Sequence, residues 1–393
     1  MIYPVPGVRL GTAAAHIKRA DRQDILVIEA APGSSVAAVF TQNAFCAAPV
    51  QVAKSHLPHA PRWLLINSGN ANAGTGPRGL DDALSTCRAL ALKVDAKPEA
   101  VLPFSTGVIG EFLPVEKIEK ALPQALENLT EQGWDEASRA IMTTDTRPKR
   151  ASRQIVLEGG KVTVTGIAKG AGMIHPNMAT MLAFVATDAV VDRAWLQPLL
   201  ERVADRTFNC VTVDGDTSTN DACVLVASGR SAAIVPESED AERFEQAVFE
   251  VCQDLAEMIV RDGEGATKFM RIQVKAAADR EEARRVAQTV ALSPLVKTAF
   301  FASDPNWGRI LAAVGRAGCK DLEIDRVSIW LGDVAIVEKG GRAPGYTEAQ
   351  GARVMAEADI DVCIDLGRGQ AEETVMTCDF SYDYVRINAE YRT

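Results

Sequence analysis

Four histidines, His16, His56, His59 and His175, are the only imidazoles in this chain of 393 residues. Histidine is the usual general base near neutral pH, so their placement restricts the available acid–base chemistry. Nothing beyond residue 175 supplies another imidazole, and no G-x-S-x-G elbow accompanies the four. Neither H-E-x-x-H nor a Cys/His cluster with metal-ligand spacing occurs. A Ser-His-Asp hydrolase and a metal hydrolase are both disfavoured, and no metal site is expected.

The stretch Lys169-Gly170-Ala171-Gly172-Met173-Ile174-His175-Pro176-Asn177-Met178-Ala179-Thr180 offers a different chemistry. A threonine hydroxyl attacks poorly until a base takes its proton. A free α-amine on the same residue can be that base, with an unperturbed pKa of about 7.7–8.0. An internal threonine has no such amine, so the chain must first be cut before it. Gly170 and Gly172 allow a tight backbone, Pro176 fixes its course, and Ala179 is small enough to leave its carbonyl open to attack. Many Gly-rich turns before a strand do nothing chemical, so composition alone leaves the choice open.

The elements around this stretch must position it. Residues 63–67 read as a buried strand, 68–79 as a Gly/Asn-rich loop and 80–94 as a helix. Residues 101–104 form another short strand that ends in the turn Ser105-Thr106-Gly107, a geometry able to aim a donor pair at one point. A hairpin is expected from strands at 153–158 and 161–167 around Gly159-Gly160. An apolar strand over 181–191 follows the candidate nucleophile directly. Strands are also expected at Ile25–Ala30, 36–41, 269–274, 326–331 and 334–337, and helices at 115–129, 192–205, 238–261 and 279–290. Strands and helices in mixed order predict an α/β (mixed α+β) layered protein without fixing the strand order.

Bulk properties set outer bounds. The length suits one large or two smaller domains. Lys plus Arg number 42 against 52 Asp plus Glu, for a net charge of −10, and an acidic chain without a basic run lacks a nucleic-acid footprint. No apolar run approaches the roughly 18–20 residues that span a bilayer, and the N-terminal residues lack a signal-peptide pattern. The 8 cysteines contain no C-x-x-C pair, which predicts reduced thiols in a cytoplasmic protein.

The segment KGAGMIHPNMATMLAF, 169–184, resembles the self-cleavage signature of the ornithine acetyltransferase family, the bifunctional glutamate N-acetyltransferase/amino-acid acetyltransferases of arginine biosynthesis. Further blocks in the same order are similar to that family: INSGNANAGTG (66–76), PFSTGVIGE (103–111), TTDT (143–146), TVDGDTSTND (212–221), DGEGATK (262–268), FFASDPNWGRI (300–310) and the terminal NAEYRT (388–393). They span essentially the whole chain.

The resemblance implies cleavage between Ala179 and Thr180 into an α chain (1–179) and a β chain (180–393), both contributing to one catalytic core. It implies a layered, N-terminal-nucleophile-like sandwich assembled as a heterotetramer of two α and two β chains. Thr180 would carry the acetyl group from N-acetylornithine to glutamate, with acetyl-CoA a further donor in some members and no bound cofactor. Thr106 and Gly107 would form the oxyanion hole, through a hydroxyl and a backbone N–H. Thr143, Lys169, Thr180, Glu264, Asn388 and Thr393 match the family's substrate-binding positions. By charge, Lys169 suits a carboxylate and Glu264 an ammonium group. The alternatives are a self-cleaving aminopeptidase or amidase, which would give its acyl group to water, and an uncut amino-acid-binding protein. The loop 68–76 lacks a dinucleotide fingerprint, although its Gly-rich setting could meet coenzyme A; the acidic run 214–221 reads as a structural turn and His175 as a residue shaping the scissile turn.

Overall fold

The computed structural model describes residues 1–19, 21–175 and 181–390. They form two compact units, one from Met1–Asn209 with Asp216–Ile259 and one from Cys210–Gly215 with Val260–Thr393.

The first unit contains β1 (Val8–Ala13), β2 (Ile25–Ala30), β3 (Ser35–Phe40), α1 (Ala48–His56), β4 (Trp63–Asn70), α2 (Gly76–Lys93), β5 (Val101–Val108), α3 (Val115–Glu127), α4 (Trp134–Ala140), β6 (Lys149–Leu157), β7 (Gly160–Lys169), β8 (Leu182–Thr187), α5 (Arg193–Arg206), β9 (Ala222–Ala227) and α6 (Glu239–Arg261), whose last turn leads into the second unit. One sheet has the order β1-β2-β4-β5 and the other β3-β9-β8-β7-β6. Because side chains alternate across a strand, each sheet has two apolar faces to cover. Leu26, Ile28, Leu64, Ile66 and Phe104 of the first sheet meet Ile167, Leu182, Phe184, Val224 and Val226 of the second in a shared core. Phe104 and Phe184 pack edge to face there, with ring centroids 5.2 Å apart.

On its outer face the first sheet turns Ile25, Val27, Leu65 and Val101 toward Leu90 of α2 and Ile118 and Leu122 of α3. The second sheet is backed by α6, where a Cβ on Gly166 would stand 3.0 Å from Leu255 and 3.2 Å from Val251. The result is helix, sheet, sheet, helix. The layered mixed α/β architecture expected from the sequence is therefore present.

The second unit contains β10 (Phe269–Ala277), α7 (Arg280–Ala291), α8 (Pro294–Phe301), α9 (Trp307–Gly315), β11 (Ser328–Leu331), β12 (Val334–Glu338), β13 (Gly341–Arg342), α10 (Glu348–Met355), β14 (Asp359–Asp365), β15 (Ala371–Cys378) and α11 (Tyr382–Ala389). Its sheet runs β13-β12-β11-β14-β10-β15. Met270, Ile272 and Val274 of β10 pack with Val286 and Val290 of α7 and Val296 and Phe300 of α8. Asp279 and Ser293 accept hydrogen bonds from the backbone of Glu282 and Val296, which starts α7 and α8 at those residues.

Several boundaries differ from the sequence expectation. The segment 105–107 is not a turn: β5 continues through Thr106 and Gly107 because parallel pairing with β4 carries on to Val108. β4 likewise extends into the expected loop and α2 begins at Gly76. The hairpin pairs Leu157 with Gly160, so its turn is Glu158-Gly159, one residue earlier than expected. The strand expected over 181–191 stops at Thr187.

Candidate active site

β7 and β8 are antiparallel neighbours, with Lys169 opposite Leu182. The connection that carries the candidate cleavage motif therefore leaves and re-enters the sheet at one place. Ala179 and Thr180 lie outside the described residues, as does Thr393.

Lys169 closes β7 with its side chain inward, only 8% exposed. Its ammonium donates to Thr106 Oγ1 at 3.3 Å. A hydroxyl that accepts from an ammonium keeps its own O–H to donate, and the positive charge strengthens that donation. Next to it Gly107 has φ +135°, a conformation that side chains rarely adopt. Asn220 fixes the same stretch, its amide donating to the carbonyls of Ser105 (2.9 Å) and Ala71 (2.6 Å). The Ser105 hydroxyl donates to Asn67 Oδ1 at 2.6 Å, tying β5 to β4 below Thr106.

Asp145 organises the other side of Lys169. Its Oδ1 accepts from Lys149 Nζ at 2.6 Å and from the Gly170 N–H at 2.7 Å. Its Oδ2 accepts from the Thr143 N–H at 3.0 Å and lies 4.0 Å from Lys169 Nζ. One carboxylate thus joins the end of β7, the start of the motif and the Thr143 loop. Full burial pushes the Asp145 carboxyl up, but the charges of Lys169 and Lys149 and the hydrogen bonds outweigh it and hold the pKa at about 2.

A second carboxyl, that of Asp221, is 2% exposed beside β8. Burial drives its pKa well above the usual carboxylate range, opposed by Lys169 and by hydrogen bonds from Ser218 and Met181. His175 is shifted down by burial, against the pull of Asp216, and so favours the neutral imidazole. The buried thiols are poor competitors as nucleophiles, since burial pushes Cys87 and Cys223 up to about 12.

In the second unit, Glu264 is 7% exposed and accepts from Asn388 Nδ2 at 2.8 Å, which brings these two expected substrate positions together. The turn that carries Glu264 is fixed by Asp379, which accepts from the backbone of Thr267 and Lys268, each at 2.8 Å. A Cβ on Gly265 would lie 2.5 Å from the Tyr384 nitrogen, so glycine is what allows the turn to meet α11.

The first unit likewise unites Thr106, Lys169 and Thr143, the last through Asp145. Residue type alone does not single out Asp145, Lys149, Asn220 or Asp221, and the run 214–221 reads by type as a structural turn. Asp145 sits inside TTDT, and Asn220 and Asp221 close TVDGDTSTND; their burial is the missing signal.

The ArgJ family model matches residues 9–393. The chain is 67% identical over 394 residues to the arginine biosynthesis bifunctional protein ArgJ of Methylococcus capsulatus, covering 100% of this chain and 97% of that protein. It is 56% identical over 397 residues to the protein of the same name from Pseudomonas fluorescens, with 100% and 98% covered. It is similar to a crystal structure of the arginine biosynthesis bifunctional protein ArgJ of Bacillus halodurans at 42% identity and a TM-score of 0.52, over 53% of this chain and 99% of that chain.

Proposed function

Because the chain belongs to the ArgJ family, we propose that it is a bifunctional arginine-biosynthesis acetyltransferase whose nucleophile is Thr180, made N-terminal by scission of the Ala179–Thr180 bond. The observation that carries the site assignment is the buried Lys169–Thr106 hydrogen bond at the point where the motif leaves β7.

In catalysis the free amine of Thr180 takes the proton of its own hydroxyl as Oγ attacks the acetyl carbonyl of N-acetylornithine. The Thr106 hydroxyl, polarised by Lys169, and the Gly107 N–H stabilise the oxyanion. Ornithine leaves with the proton, and glutamate then accepts the acetyl group from Thr180. Both halves use one covalent intermediate, so the kinetics are ping-pong. Acetyl-CoA loads the same threonine in the second activity. The acetyl group rides on the protein itself, so the transfer requires neither a resident cofactor nor a metal.

Thr143, Lys169, Glu264, Asn388 and Thr393 hold the amino-acid substrates, with Lys169 toward a carboxylate and Glu264 toward an ammonium. Two α chains (1–179) and two β chains (180–393) make up the working heterotetramer in the cytoplasm. Among the described residues, no helix is long and apolar enough to cross a membrane. The Bacillus halodurans chain, matched over 99% of its length by 53% of this one, supports the two-chain reading because it is about the size of the β chain.

Denaturing electrophoresis of active protein should show two fragments, and N-terminal sequencing should find Thr-Met-Leu-Ala-Phe. Thr180→Ala should remain whole and fail to transfer acetyl to glutamate. An active, uncut chain would overturn the proposal, and release of free acetate without transfer would favour an amidase.

A further inference from the structure

Two lysines share one buried carboxylate. Lys149 Nζ lies 2.6 Å from Asp145 Oδ1, whereas Lys169 Nζ stands 4.0 Å from Oδ2, too far for a hydrogen bond. Lys149 is therefore the counter-ion of Asp145, and the trio leaves one positive charge at Lys169 for the site. Without Lys149, Lys169 would become that counter-ion. Closing the gap would draw its ammonium off Thr106 Oγ1, to which it donates at 3.3 Å. The same carboxylate sets the segment that carries Thr143, since Oδ2 accepts from the Thr143 N–H and Oδ1 from the Gly170 N–H. From another side the Arg22 guanidinium donates to the Met142 carbonyl and, at 3.2 Å, to Ser68 Oγ. Ser68 Oγ donates in turn to the Ala140 carbonyl at 2.7 Å. Ser68 is the register partner of Thr106 in the β4–β5 pair. The segment 140–145 is thus referenced to the strands that hold Thr106.

Resting on the proposed roles of Thr106, Thr143 and Lys169, we infer that Asp145 is a positioning residue for acetyl transfer. Paired with Lys149, it aims the Lys169 ammonium at the Thr106 hydroxyl and fixes the Thr143 segment, without cancelling the charge that Lys169 brings. Asparagine has the size for this place but not the pattern. Both oxygens of Asp145 accept, so the NH₂ of an asparagine would meet a backbone N–H and a lysine ammonium on whichever side it turned. The donors would be pushed apart, and Lys169 with them.

A double-mutant cycle of Asp145→Asn and Thr106→Val tests the assignment, with turnover referred to the amount of cut chain. Asp145→Asn alone should lower kcat for acetyl transfer about a hundredfold, the cost of misplacing a site group by roughly 1 Å. In the Thr106→Val background it should cost less than about threefold, because its effect passes through a hydroxyl already removed; a merely structural defect would multiply with the first loss. Full multiplication of the two losses, or a kcat for Asp145→Asn within about threefold of wild type, would overturn the role. Should Asp145→Asn remain uncut, its crystal structure decides: an ammonium moved off Thr106 supports the role, and an unmoved Lys169–Thr106 bond refutes it. Should it not fold, Asp145→Asn with Lys149→Met, which strands neither member of the pair, goes through the same measurements. Wild-type protein without acetyl transfer, or Thr106→Val with full kcat, would instead overturn the site reading beneath the proposal.

Discussion

Gly107 and Gly69 face each other across the parallel β4–β5 pair, so closely that a Cβ on Gly107 would stand 2.3 Å from the Gly69 carbonyl carbon. No side chain fits there. Gly107→Ala should impose backbone strain of about 1–3 kcal/mol and overpacking of similar size, displacing the end of β5. Thermal unfolding should register the loss, together with a fall in acetyl transfer. Thr106→Val keeps the shape of its side chain, so its melting temperature should change little. Under the proposed oxyanion-hole role, its kcat should nevertheless drop about 10²–10³-fold, as for loss of one such donor. Equal stability losses in the two variants would argue against separate roles.

The Lys149–Asp145 pair is dry, with side-chain exposures of 1% and 0% at 2.6 Å. Removing one partner of a buried pair strands the other, at a cost of about 3–5 kcal/mol. Lys149→Met should approach that loss in urea unfolding, tempered by Lys169 on the far oxygen. An unchanged unfolding midpoint would show the pair to be dispensable.

The two site carboxyls should tilt stability with pH in opposite directions. Asp145 has its folded pKa at about 2, below the unfolded value of about 3.9. Its contribution, about 2–3 kcal/mol, is therefore complete above roughly pH 5 and disappears as pH falls through the folded value. The difference in unfolding free energy between wild type and Asp145→Asn should shrink across that window.

Asp221 is shifted upward, so the folded state retains a proton that the unfolded state has lost. Stability should decline from this residue as pH rises above about 4. Asp221→Asn should remove that decline and be no less stable than wild type near neutrality. A variant that loses stability at every pH would contradict the assignment of a neutral buried acid.

Glu264→Gln preserves the shape at Asn388 Nδ2 but removes a negative charge. Under the proposed ammonium contact, the KM for N-acetylornithine should rise about tenfold or more, with a smaller effect on glutamate. An equal change for both substrates would argue for a purely structural role.

The motif residues were legible from the sequence because their types and order are distinctive. The strands β2, β8 and β10 were legible because apolar, β-branched runs rarely suit anything else. The turn expected at 105–107 fails because Ser105 and Thr106 are turn-like by type, whereas pairing with β4 is a long-range contact invisible locally. Asp145 and Asp221 went unread for a related reason. Composition gives the charge of an aspartate, but only packing tells whether two lysines or an apolar wall surrounds it.

The sheet order β3-β9-β8-β7-β6 has a consequence for what the protein could do on unfolding once the proposed cut had been made. β8 and β9 follow residue 180 yet lie between β3 and β7, which precede it. After the proposed cut, the two polypeptides are interleaved like the fingers of clasped hands, and neither can withdraw without unzipping two strand pairings. Before the cut, the same arrangement forms within one chain, where the search for partners is intramolecular. Afterwards it would be a second-order encounter between fragments lacking their neighbours. Under the proposed cleavage, the mature enzyme would owe its architecture to its own history: it would be reached through the intact precursor, and thorough denaturation would erase the route back.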